Sequence, residues 1–251
     1  MNTVAGLHAV IALLEEQPER VRELWVHSGR DDARMQRVVQ LAREAGVRIE
    51  KVSRKRLDKL SSSHQGVVAQ CHPLTLAAEA ELELRWQGLA SPRLLLALDG
   101  ISDPRNLGAC LRSAEAAGVQ AVLLPRRRAA PLNDAALKAA AGAAERLLLV
   151  EVANLARRLD WLKSEGIWVV GAAGEAEIPW NGADLATDVA LVMGSEGRGL
   201  RELTRKKCDV LVSIPMSGAV GSLNVSVATG ILLFEAVRQR RAALASSGNR
   251  P

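Results

Sequence analysis

Residues 214–230 read Ile-Pro-Met-Ser-Gly-Ala-Val-Gly-Ser-Leu-Asn-Val-Ser-Val-Ala-Thr-Gly, and this run constrains the fold more than any other. An apolar strand over 210–214 enters a loop of small residues, which passes into a helix starting at about Leu223. A loop that wraps its backbone around a flat ligand needs small residues, because a Cβ would collide with it. Two other segments have the same build. Ala190-Leu191-Val192-Met193 runs into Gly194-Ser195-Glu196-Gly197-Arg198-Gly199, and Leu94 to Leu98 runs into Asp99-Gly100-Ile101-Ser102-Asp103-Pro104-Arg105-Asn106-Leu107-Gly108. Three strand ends bearing Gly, Asn, Glu and Arg predict one composite site at the carboxyl edge of an α/β sheet.

The rest of the chain fits that reading. From Arg93 onward, strands are expected at 93–98, 120–124, 146–150, 167–171, 188–193 and 209–214. Helices are expected at 106–117, 133–143, 152–165, 199–206 and 223–241. This alternation predicts a mostly parallel sheet covered on both faces. Before it, a smaller α/β unit is expected. It has helical spacing from Val4 to Leu14, a strand from Glu23 to His27, a helix opened by Asp31 and Asp32 and ended by Gly46, a strand over 47–52, a basic helix from Lys55 to Leu60 and a strand over 66–71. Residues 74–90 turn acidic and lack strand signals, so they read as a linker with at most a helical turn. The expected division is 1–73, linker 74–90 and 91–251, and the tail at 246–251 reads as disordered.

Composition narrows the function. Apolar residues make up 48% of the 251, enough for a sizeable core. No apolar run approaches the length that spans a bilayer, and no signal peptide is evident. Cys71, Cys110 and Cys208 have no metal-binding spacing and read as reduced thiols of a cytoplasmic protein. The net charge of +5 is compatible with nucleic acid. With no Tyr and one Phe, a base-stacking platform is not expected, so phosphate contacts and shape would carry RNA affinity. A nicotinamide-dependent oxidoreductase is disfavoured, because no G-x-G-x-x-G follows the first large-sheet strand.

The three motifs, in this order, resemble the SpoU class of the SPOUT RNA methyltransferases. They are Asn106-Leu107-Gly108-Ala109-Cys110-Leu111-Arg112, Met193-Gly194-Ser195-Glu196-Gly197, and Ile214-Pro215-Met216 through Ser222-Leu223-Asn224-Val225-Ser226-Val227-Ala228. Gly6-Leu7-His8-Ala9-Val10 and His64-Gln65-Gly66 are similar to the L30e-like N-terminal domain of the members of that class that act on guanosine riboses of 23S rRNA. The resemblance implies an α/β fold in which a C-terminal SPOUT domain with a deep trefoil knot follows a small L30e-like domain that binds RNA substrate. It implies S-adenosylmethionine as cofactor, no metal, and 2′-O-methylation of a 23S rRNA guanosine in the peptidyl-transferase P loop.

Residue by residue, the resemblance places Asn106, Arg112, Glu196, Ser222 and Asn224 in the catalytic site, and Gly194, Ile214 and Leu223 in the cofactor pocket. Other readings stand beside these. Asn106 and Asn224 could cap helices, Arg112 could be a solvated helix arginine, and Glu196 could accept loop amides. A silent RNA-binding assembly factor with the same fold would not need these residues intact. His64 and Gln65 touch RNA or order a turn. Of the basic clusters, Arg126-Arg127-Arg128 and Arg54-Lys55-Arg56 are favoured for RNA phosphates over Arg205-Lys206-Lys207 and 238–241. The resemblance also implies a homodimer paired through the knotted domain, and Val227, Ile231, Phe234 and Val237 recur at helical spacing on the last helix.

Overall fold

The computed structural model describes residues 2–61, 63–127 and 129–247. Arg128 of the first basic cluster and residues 248–251 of the tail lie outside the described residues.

Two sheets organise the chain. The smaller contains β1 (Asn2–Ala5), β2 (Val21–His27), β3 (Arg48–Val52) and β4 (Val67–Cys71) in the order β1-β4-β2-β3. Strand β1 is an addition to the expected elements. The apolar run at Val4 belongs to a strand, and only after Gly6, at φ 97°, does α1 (Leu7–Glu16) begin. A positive φ is open to glycine at little cost, so the chain turns there from strand to helix. Helix α2 (Ala33–Glu44) starts where expected, with Asp32 accepting the N–H groups of Arg34 and Met35. Helix α3 (Arg54–Asp58) is the short basic helix.

Segment 74–90 is more than a connecting stretch. It forms α4 (Glu79–Arg85) and a 3-10 turn (Trp86–Gly88), and Leu82 and Trp86 are buried among residues of the larger sheet. Ala77 pairs with Val150 at that sheet's edge.

The larger sheet has seven strands: β5 (Leu94–Asp99), β6 (Ala121–Pro125), β7 (Leu148–Val152), β8 (Trp168–Ala172), β9 (Ile178–Pro179), β10 (Val189–Gly194) and β11 (Val210–Ser213). Their order is β7-β6-β5-β10-β8-β11-β9, and every pairing is parallel. The two-residue β9 was not expected. A proline has no N–H to give to a ladder, so it fits only such an edge position. Alternation along the strands feeds two cores. Leu94, Leu96 and Leu98 face one layer, and Leu95 and Ala97 face the other. The first layer is covered by α5 (Pro104–Ala116), α6 (Asp134–Ala140), α7 (Ala143–Arg146) and α10 (Val225–Ser247). The second is covered by α4 and α8 (Leu155–Ser164).

The helix expected over 133–143 is broken at Ala141 and Gly142, at φ 53° and 96°. A Cβ on Gly142 would sit 3.1 Å from the Ala12 methyl and 3.2 Å from Ala9 Cα of α1. The break therefore lets the two sheets' helices meet closely. Gln17 Nε2 donates to the Glu145 carbonyl at 2.8 Å, and Arg146 pairs with Glu15 at 2.7 Å across the same junction.

Strand β10 is inserted between β5 and β8, and the chain then crosses to β11 on the far side of β8. From there it returns as α10 to pack on α5 and β10. Arg240 fastens the return. Its guanidinium donates to the carbonyls of Pro92, Arg93, Leu185 and Thr187 at 2.7–3.2 Å. Hydrogen bonds from a charged donor contribute more than neutral ones, about 1.5–3 kcal/mol each net of the bonds to water they replace, and such contributions do not simply add. Because these are partly solvated, Arg240→Ala is expected to cost about 2–4 kcal/mol in total. Urea unfolding should show a lower midpoint at an unchanged slope.

Candidate active site

The three loops meet at the carboxyl edge of the larger sheet. Asn106 lies in the first turn of α5 and is not its cap, because Asp103 fills that role by accepting the Arg105 N–H at 2.6 Å. That leaves the Asn106 amide for other partners. It donates to Glu196 Oε1. Asn224 Nδ2 donates to the same Glu196 oxygen at 3.1 Å and to Asn106 Oδ1 at 3.1 Å. Asn224 Oδ1 in turn accepts the Ser226 N–H at 2.9 Å and the Ser226 hydroxyl at 2.6 Å. Asn224 thus does both things considered for it. It closes the start of α10 and reaches across to the other two motifs.

The loop carrying Glu196 follows β10 and closes on itself. Ser195 and Gly199 exchange two backbone hydrogen bonds at 2.9 and 3.0 Å. Gly194 is buried under that closure, and a Cβ there would lie 2.1 Å from the Gly199 carbonyl carbon. At the loop's far end, the Arg201 N–H donates to Asp99 Oδ2 at 2.8 Å. Asp99, at the end of β5, is fully buried. Sequence reasoning assigned no role to Asp99, Arg201 or Ser226. The available signal was the one carboxylate ending an otherwise apolar strand.

Of the other expected site residues, Ile214 is half-buried against the core after β11. Leu223 and Ser222 are exposed in the loop before α10, with Met216 and Val220 exposed beside them. Ser222 makes no side-chain hydrogen bond among the described residues. Arg112 is not brought to the Asn106–Glu196–Asn224 cluster. Six helical positions leave it about 120° around α5 from Asn106, exposed and without a carboxylate partner among the described residues. Asn106, Cys110 and Ser113 instead form the stripe that meets α10. Cys110 Sγ lies 3.5 Å from Thr229 Oγ1, and a Cβ on Gly230 would sit 3.7 Å from Ser113 Oγ.

The cysteines read as packing groups. Burial pushes the thiols of Cys110 and Cys208 up to about 11, so neither is a thiolate at neutral pH. Among the described residues no cluster of His, Cys, Asp and Glu could hold a metal ion. His64 and Gln65 order a turn. His64 Nδ1 accepts the Gly66 N–H at 2.8 Å while Nε2 meets Asp58 at 3.0 Å, and Gln65 Oε1 accepts the Leu7 N–H at 3.1 Å. Much of the basic surface is committed to ion pairs. Arg126 holds Glu151, Arg56 holds Glu50, Lys207 holds Asp160 and Arg238 holds Glu235. Arg54, Lys55 and Arg127 have no such partner among the described residues.

Comparison with known proteins defines the class. Over 95% of this chain and 90% of the other, the fold superposes with a TM-score of 0.77 at 25% identity on the SpoU methyltransferase AviRb from Streptomyces viridochromogenes in complex with the cofactor AdoMet. Residues 93–234 match the model of the SpoU rRNA Methylase family, and residues 3–77 match that for RNA 2′-O ribose methyltransferase substrate binding. The chain belongs to the SpoU rRNA Methylase family. It is 50% identical over 96% of its length to the 23S rRNA (guanosine-2′-O-)-methyltransferase RlmB of Pseudomonas syringae pv. tomato, covering 97% of that protein. It is 51% identical over 94% of its length to the RlmB of Escherichia coli K12, covering 98% of it.

The tight closure over Gly194 makes a direct prediction. Gly194→Ala forces a methyl group into backbone, and overpacking of this severity costs about 3 kcal/mol or more. At this chain length, that corresponds to a Tm lower by about 6–12 °C. Thermal unfolding followed by circular dichroism checks it, and an unchanged Tm would show that the loop simply moves aside.

Proposed function

We propose that this chain transfers a methyl group from S-adenosylmethionine to the 2′-hydroxyl of a guanosine in 23S rRNA, in the peptidyl-transferase P loop. The observation that carries the reading is the joint of Asn106, Glu196 and Asn224, which ties three motif loops together in a chain half identical to the named relatives. Among the described residues no helix is long and apolar enough to cross a membrane. We place the reaction in the cytoplasm, where rRNA is modified.

Gly194, Ile214 and Leu223 would hold the cofactor. The loop between β11 and α10 fits such a group. It offers exposed backbone and the exposed apolar side chains Met216, Val220 and Leu223 beside the polar joint. When bound, the cofactor supplies an electrophilic methyl on a sulfonium. The chain's task is then to bring the ribose hydroxyl into line and help its proton leave. A guanidinium at Arg112 with no carboxylate partner among the described residues suits the phosphate beside the reacting ribose, where it orients the sugar and stabilises the developing alkoxide. Asn106, Glu196 and Asn224 fix the loops around that position, and Ser222 lies in the loop next to them.

Arg112 stands apart from its own chain's cluster, which supports a homodimer in which one protomer's Arg112 serves its partner's site. Val227 and Phe234 on α10 are each 50% exposed, while Leu232, Leu233 and Ala236 on its other side are buried. A second copy would cover that outer stripe. For residues 1–73, the proposed role is to grip RNA through Arg54 and Lys55, with 91–251 carrying the chemistry. The 74–90 stretch joins the two.

The function is tested by mapping 2′-O-methyls on 23S rRNA incubated with the protein and cofactor. Absence of any new methylated guanosine would sink the reading. Arg112→Ala is expected to lower turnover by about 10²–10³-fold, the usual loss for a transition-state contact, with Tm and S-adenosylhomocysteine affinity unchanged. Light scattering should give twice the 26.9 kDa chain mass, and a monomer at micromolar concentration would refute the shared site.

A further inference from the structure

We propose that Asp99 is a positioning residue for the reaction, acting through the 195–200 loop that carries Glu196. The inference rests on the reading of this edge as the methyl-transfer site.

Asp99 ends β5, in register with Gly194 of β10. Its side chain is fully buried, and among the described residues its partners lie on Arg201. Oδ2 accepts the Arg201 N–H at 2.8 Å, and Oδ1 lies 3.4 Å from Arg201 Nη1 without a hydrogen bond of its own. Burying a carboxylate is unfavourable unless it is paired, and an apolar residue of similar size often serves a core equally well. A buried aspartate clasping one residue's main chain and side chain is therefore better explained by where it holds that residue.

Arg201 is the residue from which α9 (Glu202–Lys207) begins, and it closes the loop after β10. Residues 196–199 are exposed, and Gly197 and Gly199 adopt positive φ of 76° and 65°. Besides its internal Ser195–Gly199 pairing, the loop is anchored at Gly194 in the sheet and at Arg201 on Asp99. Glu196 projects from between those anchors into the joint with Asn106 and Asn224. Releasing the Arg201 end moves Glu196, and the joint with it.

The test compares wild type, Asp99→Asn, Glu196→Ala and the double variant. Asp99→Asn is expected to lower kcat about 10²-fold, as small misplacements of a reacting geometry do. Its KM for rRNA should stay within about twofold, the pattern of a lost transition-state interaction. The double variant should be no slower than Glu196→Ala alone, because Asp99 acts through that side chain. Hydrogen exchange on the protein without cofactor should quicken at the Ser195 and Gly199 amides and stay unchanged in the sheets. A folded Asp99→Asn with wild-type kcat overturns the proposal, as does multiplication of the two losses or unaltered exchange in the loop. If Asp99→Asn does not fold, Arg201→Pro removes both the main-chain N–H and the guanidinium at a φ of −63° that proline accepts. It should show the same fast exchange and slow turnover, and wild-type behaviour in it overturns the proposal. Should the wild-type protein methylate no RNA, the methyltransferase reading fails, while the exchange result still decides the clasp.

Discussion

A single carboxylate oxygen holds the working edge of this protein together. Glu196 Oε1 accepts from Asn106, 90 positions before it, and from Asn224, 28 positions after it, and the two asparagines meet each other across 118 positions. Asn106 reaches Glu196 only with β5 and β10 side by side, and Asn224 reaches both only with α10 in place as well. The parallel order of the sheet brings the first two side by side. The return of α10 across them supplies the third. The layers, the crossing and the Arg240 anchor all serve to let three short loops share one point.

That point is polar and open, in contrast to what lies beneath it. Directly under the loops sit Leu98 and Met193, both buried, with Asp99 and Gly194 closing their strands. Burial fixes the strand ends rigidly, and exposure keeps the loop groups free to meet a substrate. Preorganised groups of this kind need no costly rearrangement when charge develops. Arg112, exposed on α5, stands outside this joint.

The larger domain was legible in the sequence because its strands are continuous apolar runs and its helices have clear spacing. All six expected large-sheet strands lie within a few residues of their places. The family's three motifs also marked out Asn106, Glu196 and Asn224, which do meet. What escaped notice did so for physical reasons. Strand β1 is four residues long and runs through one glycine into a helix, so its apolar residues blend into helical spacing. The break at Ala141 and Gly142 reflects contact with α1, a tertiary event that no local pattern records. The 74–90 stretch looks acidic because its outward face is acidic, while Leu82 and Trp86 turn inward. Asp99 and Arg201 meet over 102 positions, and nothing in either's neighbourhood announces the other.

The route of α10 has a consequence for how the protein comes into being. On the ribosome the strands of both sheets emerge before Asn224, and domains of this kind begin to fold as they appear. Helix α10 emerges after both sheets, and its Arg240 must find carbonyls at 92–93, 185 and 187 that earlier segments have already set in position. A chain halted before Asn224 would hold the Asn106–Glu196 pair but lack the amide that ties the third loop to it. The three-way joint therefore forms only after Asn224 and the helix behind it have been made.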